Sequence, residues 1–275
     1  MKEPGSVREI VAGPVDVPYP WFMMKRISVA GLAGLLLPLI AYCGGHEQDA
    51  PHWSYAGAEG PESWAQLDPS FATCGSGQRQ SPIDVSNPQP EDLANIAFHY
   101  QSSALNILNN GHTVQVNYDP GSYMELDGVR YDVLQFHYHA PSEHAIDGRL
   151  FPAELHIVHR NTGGGLAVVG LLITEGAENP ALAPFVDNLP EQEADARNAG
   201  ITVNASDFLP SEQTTVRYNG SLTTPPCSEG VQWLLLARPV ELSAGQLQKL
   251  RSLFGHNNRP LQPLNGRTLI EDDTP

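Results

Sequence analysis

Positive charge is what this 275-residue chain has least of: 15 Lys and Arg stand against 31 Asp and Glu, a formal net charge of −16. So few cations cannot neutralise a run of phosphates, which excludes nucleic acid as a natural partner. Charged residues of both signs are sparse at 17%, against 41% hydrophobic, which excludes a disordered chain. Long apolar runs are scarce as well. One stretch, Ile27 to Tyr42, spans about 16 residues and carries Pro38, short of the roughly 20 that a membrane helix needs. No internal repeat or low-complexity block appears after residue 50, and helical periodicity is thin.

The apolar stretch follows Met23-Met24-Lys25-Arg26 and ends in the polar Gly44–Ala50, the layout of a secretory signal peptide. Residues 1–22, with four prolines and no apolar period, read as an upstream extension. The expected organisation is therefore extension 1–22, signal peptide 23–45, linker 46–51 and a domain over 52–275. A buried hydrophobic helix is the alternative for the apolar run. Lipid attachment at Cys43 is the alternative to cleavage, and bulky Tyr42 beside it disfavours that processing. An exported chain, periplasmic or secreted, has no stable membrane span once mature. Export also makes Cys74 and Cys227 candidates for a disulfide, with two free buried thiols as the alternative.

Glycine (25) and proline (24) are abundant, a turn-rich composition that argues against a helical bundle. Short runs rich in β-branched and aromatic residues recur at Asn95–Tyr100, Thr113–Tyr118, Val129–His139, Ala153–Arg160, Ala167–Thr174, Thr214–Asn219 and Val231–Leu236. Turn signals such as Asp119-Pro120-Gly121 and Asp127-Gly128 separate them. The pattern predicts a single, mainly β domain, largely antiparallel, with peripheral short helices. Helices are expected at Ala181–Asn188, Glu191–Ala199 and Ser243–Phe254, the last with Ser243 as N-cap and Gly255 as a C-terminal stop.

Five of the ten histidines fall between 137 and 159. In an extended segment, residues two apart share a face, so Gln135, His137 and His139 project together. By the same rule Glu154, His156 and Val158 share one face of the next segment, and Leu155, Ile157 and His159 the other. If the two strands pair, His137, His139 and His156 converge. Three neutral imidazoles leave one position of a tetrahedral zinc ion open, the catalytic pattern. Metal-bound imidazoles need their second N–H held, and Gln135 and Glu154 stand on the ligand faces to do it. His99, His144, His159 and His256 read as ordinary core or surface histidines.

Six segments, in order, resemble the α-class carbonic anhydrases. They are His52-Trp53-Ser54-Tyr55 with Gly60-Pro61-Glu62-Ser63-Trp64, Gln80-Ser81-Pro82-Ile83-Asp84, Asn109-Asn110-Gly111-His112, Gln135–His139 with Ser142-Glu143-His144, Ala153–His159, and Gly220-Ser221-Leu222-Thr223-Thr224-Pro225-Pro226. The resemblance runs from about residue 52 to the end. It implies a central, largely antiparallel twisted sheet of about ten strands, and reversible hydration of carbon dioxide to bicarbonate and a proton by attack of a zinc-bound hydroxide. By position it makes His137, His139 and His156 the Zn2+ ligands, with Thr223 and Glu143 orienting the hydroxide and His112 shuttling the proton. It implies an apolar substrate wall of Val158, Val168, Leu222, Val231 and Trp233. Tyr55, Asn110, Gln115 and Thr224 would order water on the polar wall. Cys74 and Cys227 fall where secreted and bacterial relatives often bridge. A homodimer is compatible with the resemblance, as is esterase side activity. A silent binding relative typically loses a zinc histidine, whereas all three are present here. The absence of His-Glu-x-x-His counts against a zinc peptidase.

Overall fold

The computed structural model describes residues 51–272. The expected extension, signal peptide and most of the linker, with Cys43, lie outside those residues. In chain order the strands are β1 (Asp84–Val85), β2 (Gln89–Pro90), β3 (Ala97–His99), β4 (Ser103–Asn109), β5 (Val114–Asn117), β6 (Tyr123–Leu126), β7 (Val129–His139) and β8 (Ala145–Ile146). They continue as β9 (Arg149–Leu150), β10 (Ala153–Asn161), β11 (Leu166–Glu175), β12 (Ala196–Val203), β13 (Thr215–Ser221), β14 (Glu229–Leu242) and β15 (Ile270–Asp272). The helices are short: α1 (Trp64–Leu67), α2 (Thr73–Ser76), α3 (Ala183–Val186) and α4 (Ala244–Leu253).

The large sheet runs β12-β4-β5-β7-β10-β11-β14-β13-β15-β2, with β3 and β6 branching beside β7; β1, β8 and β9 form a small separate sheet. The expected mainly β architecture is present. Pairing in the large sheet is antiparallel except at β11–β14 and β15–β2, which are parallel. No helix among the described residues is long and apolar enough to cross a membrane.

β10 lies at the centre, and its residues 153–159 are all buried. One face, with Leu155 and Ile157, joins Phe136, Tyr138, Val169, Leu171, Leu234 and Leu236 in the main core, against Phe185 of α3 and Leu247 and Leu250 of α4. The opposite face carries Glu154, His156 and Val158. A strand covered on both sides offers its polar residues no water, so these two must find partners inside the protein.

Sequence propensity misleads in the segment after α3. Glu191–Ala199, expected as a helix, is a turn leading into β12, which pairs antiparallel with β4 at the sheet edge. Its Glu, Ala and Arg favour helix intrinsically, but the ladder with β4 supplies the backbone partners that decide the outcome. The helix expected over Ala181–Asn188 is a single turn, α3. α4 has the expected Ser243 N-cap, in a full capping box with Gln246. Its end differs: Phe254 leaves in an extended conformation (φ −126°, ψ 127°), and Gly255 is not left-handed. The chain thereby runs straight on to Asn257 and Arg259, both buried against the site.

Cys74 of α2 and Cys227 are joined in a disulfide with Cα atoms 5.0 Å apart, closing a sequence separation of 153 residues. They pack with Trp64 and Phe71 in a small satellite core.

Candidate metal centre

Strands β7 and β10 do pair, and His137 stands directly opposite His156 in their register, with His139 opposite Glu154. The three imidazoles converge: ring centroids are 5.0 Å apart for His137 and His139, 5.1 Å for His137 and His156, and 4.7 Å for His139 and His156. The next positions along the row are Gln115 of β5 beside His137 and Gly170 of β11 beside His156. Gly170 makes room: a Cβ there would come within 2.8 Å of Leu235 and 3.2 Å of Glu154 Oε1.

Each ring is held by one nitrogen. His137 Nδ1 bonds Gln135 Oε1 (2.8 Å) and His156 Nε2 bonds Glu154 Oε1 (2.8 Å), the two partners expected from the sequence. His139 Nδ1 donates to the backbone carbonyl of Asn257 (2.5 Å), a partner that no sequence pattern indicates, since every residue carries a carbonyl. His137, His139 and His156 form one group with a ligand atom of each within 4.8 Å of the others, and the bonds above leave His137 Nε2, His139 Nε2 and His156 Nδ1 for a further partner. His139 Nε2 is buried, and no group among the described residues hydrogen-bonds it. Such orphans cost free energy and call for an ion or another partner. Burial drives the His139 imidazole down to about 4 and lowers His137 and His156 as well, so all three are neutral donors at neutral pH. The donor set fits zinc.

His144, Glu154 and His156 form a second close group. Its atoms, however, already satisfy one another. Glu154 Oε1 accepts from His144 Nδ1 (2.7 Å) as well as His156, and Oε2 accepts the backbone N–H groups of Glu143 and His144. Burial opposes ionisation of Glu154, but the two histidines and their hydrogen bonds outweigh it and hold the carboxyl well below its ordinary range. His144 Nε2 bonds Tyr218 Oη (2.6 Å), which explains its burial as a satisfied core residue. His159 is likewise a core histidine, bonded to Tyr100 Oη (2.8 Å), while His99 and His256 are exposed.

Glu143 is fully buried. Its Oε1 accepts the backbone N–H of Arg259 (2.9 Å), and its Oε2 lies 3.5 Å from His139 Nε2 without a hydrogen bond. Burial pushes this carboxyl up to about 7, against the pull of His156, the Arg259 N–H and the Thr223 hydroxyl. Thr223 is itself buried. Arg259, a buried cation, donates to Gln80 Oε1, Ser81 O and Cys74 O, linking the Glu143 support to the disulfide.

Val158, Val168 and Trp233 are successive partners across β10, β11 and β14. With Val231 they are buried in one apolar cluster, against which Leu222 packs, and the Trp233 ring lies 4.9 Å from His156. On the other side stand Gln115, whose amide donates to Asn117, and His112, whose ring is stacked on Trp53 at 3.7 Å and 8°. Tyr55 is edge-on to His112 at 6.5 Å, and its buried hydroxyl finds no hydrogen-bond partner among the described residues. Asn110 Oδ1 accepts the N–H groups of His112 and Thr113, fixing the turn that carries the histidine. Thr224 O accepts the N–H of Cys227, just beyond Thr223.

The eukaryotic-type carbonic anhydrase family profile matches residues 59–272. A carbonic anhydrase of Nostoc sp. is 46% identical over 226 residues, spanning 80% of this chain and 86% of its own. One from Pectobacterium carotovorum is 44% identical, spanning 81% of this chain and 91% of its own. Among solved structures, the α-carbonic anhydrase of Thermovibrio ammonificans, in complex with the inhibitor sulfanilamide, superposes with a TM-score of 0.79 at 41% identity, covering 81% of this chain and 100% of that one. A match over this extent of sequence and fold leaves one assignment: the chain belongs to the α-class carbonic anhydrases, a family of lyases that hydrate carbon dioxide.

Proposed function

We propose that the protein is an exported zinc carbonic anhydrase whose domain spans residues 52–275, following a signal region at 23–45. The observation that carries this reading is the unpartnered, buried Nε2 of His139 at the convergence of three imidazoles. His137 and His139 would hold the ion through Nε2 and His156 through Nδ1, because the other ring nitrogens are engaged. When bound, zinc supplies a Lewis acid that ionises water near neutral pH, a property for which carbonic anhydrase is itself the type case. The disulfide supports an oxidising compartment.

The protein's own groups divide the remaining work. Thr223 would orient the attacking oxygen by accepting its hydrogen, and would give its own hydrogen to Glu143. The N–H of Arg259 fixes that carboxyl. Val158, Val168, Leu222, Val231 and Trp233 give uncharged carbon dioxide a dry surface beside His156. Hydration releases one proton per turnover, and His112 carries it to buffer, since an imidazole titrates near neutrality. Tyr55, Asn110, Gln115 and Thr224 order the water between. Metal analysis with stopped-flow carbon dioxide hydration tests the reading. About one zinc per chain, with activity lost on chelation and restored by zinc, is expected. A folded chain that neither holds zinc nor hydrates carbon dioxide overturns it.

A further inference from the structure

The loop after α3 is drawn onto the turn that carries His112 by three hydrogen bonds to one residue. Asn109 N–H donates to Asp195 O (3.1 Å), Asn109 O accepts from Ala194 N–H (2.9 Å), and Asn109 Nδ2 donates to Pro190 O (3.0 Å). This clamp fixes residues 190–195 beside Asn109–His112. Within it, Asp195 N–H closes a turn on Gln192 O (3.2 Å), with Ala194 at φ 62°, a left-handed value that residues with a Cβ rarely adopt. The turn lays Glu193 against Gly111, where a Cβ would stand 2.8 Å from its Oε1. Glycine at position 111, itself at φ 84°, leaves that space to the carboxylate, which a Cβ would displace.

The surroundings of His112 are otherwise unfavourable to a proton. Its ring is half-buried beneath Trp53, with Tyr55 edge-on. The Tyr55 hydroxyl stays neutral, since burial holds its pKa well above the ordinary value. From the same N-terminal segment His52, ion-paired to Glu59 at 3.2 Å, adds a like charge when protonated. Burial first, and His52 second, lower the His112 pKa, and Glu193 is the group that opposes them.

We propose that Glu193 is a positioning residue for proton release: its exposed carboxylate, laid beside Gly111 by the clamped backbone of its loop, attracts the imidazolium of His112 and thereby keeps that ring a competent proton acceptor at the rim of the site. The proposal rests on the reading of His112 as the shuttle. It acts through His112 alone and leaves carbon dioxide attack untouched.

The test uses the zinc-loaded full chain in weak buffer, comparing Glu193→Gln, Glu193→Asp and His112→Ala. The readouts are kcat, kcat/KM and the His112 titration midpoint by NMR. Loss of the carboxylate's charge lowers the His112 midpoint by roughly half a unit in Glu193→Gln. The expected fall in kcat is roughly two- to threefold, with kcat/KM held, because a weaker base accepts the proton more slowly. Glu193→Asp recovers most of both. A midpoint unchanged in Glu193→Gln, or a loss that falls equally on kcat and kcat/KM, overturns the proposal. Should the midpoint stay fixed while His112→Ala is slow, only this proposal fails. If His112→Ala keeps full kcat in weak buffer, the shuttle reading falls and the proposal with it.

Discussion

A single oxygen of Glu154 serves both His156 and His144: Oε1 accepts from His156 Nε2 at 2.8 Å and from His144 Nδ1 at 2.7 Å. The other oxygen takes two backbone N–H groups, so all of the carboxylate's capacity is used inside the protein. The His156 imidazole is thereby locked in orientation and tautomer by a residue that is itself immobilised.

Glu154→Gln keeps the shape but replaces one acceptor oxygen by a donor, which must then face either an N–H of the backbone or a histidine. Zinc affinity should fall roughly 10–100-fold, as for loss of other such outer partners. Competition against a chromophoric chelator measures it, and unchanged affinity would remove Glu154 from the support of His156.

His156→Ala leaves two imidazoles to hold the ion. Zinc content and carbon dioxide hydration should both be lost on dialysis. A variant with full metal content and wild-type rate refutes the ligand assignment.

His112→Ala should slow hydration mainly in weak buffer, with recovery on adding imidazole, because the missing step is proton export and not attack on carbon. An equal rate across buffer concentrations contradicts the shuttle role.

The bridge between Cys74 and Cys227 closes a sequence separation of 153 residues. Chain-entropy arguments assign a loop of that size about 5 kcal/mol of stabilisation. The double variant Cys74→Ser, Cys227→Ser should lose a few kcal/mol of that in urea unfolding. A denaturation midpoint matching the oxidised wild type would show the bridge to be energetically idle.

His159 is buried beside Tyr100, and burial lowers its pKa to about 4. Its unfolded value is about 6.5, so between these limits the unfolded chain binds the extra proton. Stability from this residue is complete above pH 6.5 and is lost as pH falls toward 4, by about 3 kcal/mol. Urea midpoints from pH 7 to 4 should fall less steeply in His159→Gln than in the wild type. Parallel slopes would exclude His159 as a source of acid lability.

The three-histidine group is legible in the sequence because strand alternation is local. His137, His139, His156, Gln135 and Glu154 declare their faces by spacing of two, and only the pairing of β7 with β10 had to be supplied by the fold. Asn257 was not legible, since it acts on His139 through a backbone carbonyl. Nor was the stacking of Trp53 on His112, which joins residues far apart in sequence. β4 is hard to see in the sequence although Leu105 and Ile107 are buried, because Asn106 and Asn109 break its β-forming composition. β12 carries helix-favouring residues and is almost wholly exposed, and an exposed edge strand lacks the alternation that betrays a half-buried one.

The cystine has one further consequence. Residues 74 and 227 bracket β7 and β10, which carry His137, His139 and His156, as well as the exposed Gly163-Gly164 turn between β10 and β11. A protease that nicks the backbone once anywhere in that interval therefore liberates no fragment, and both pieces migrate as a single species until a reductant is added.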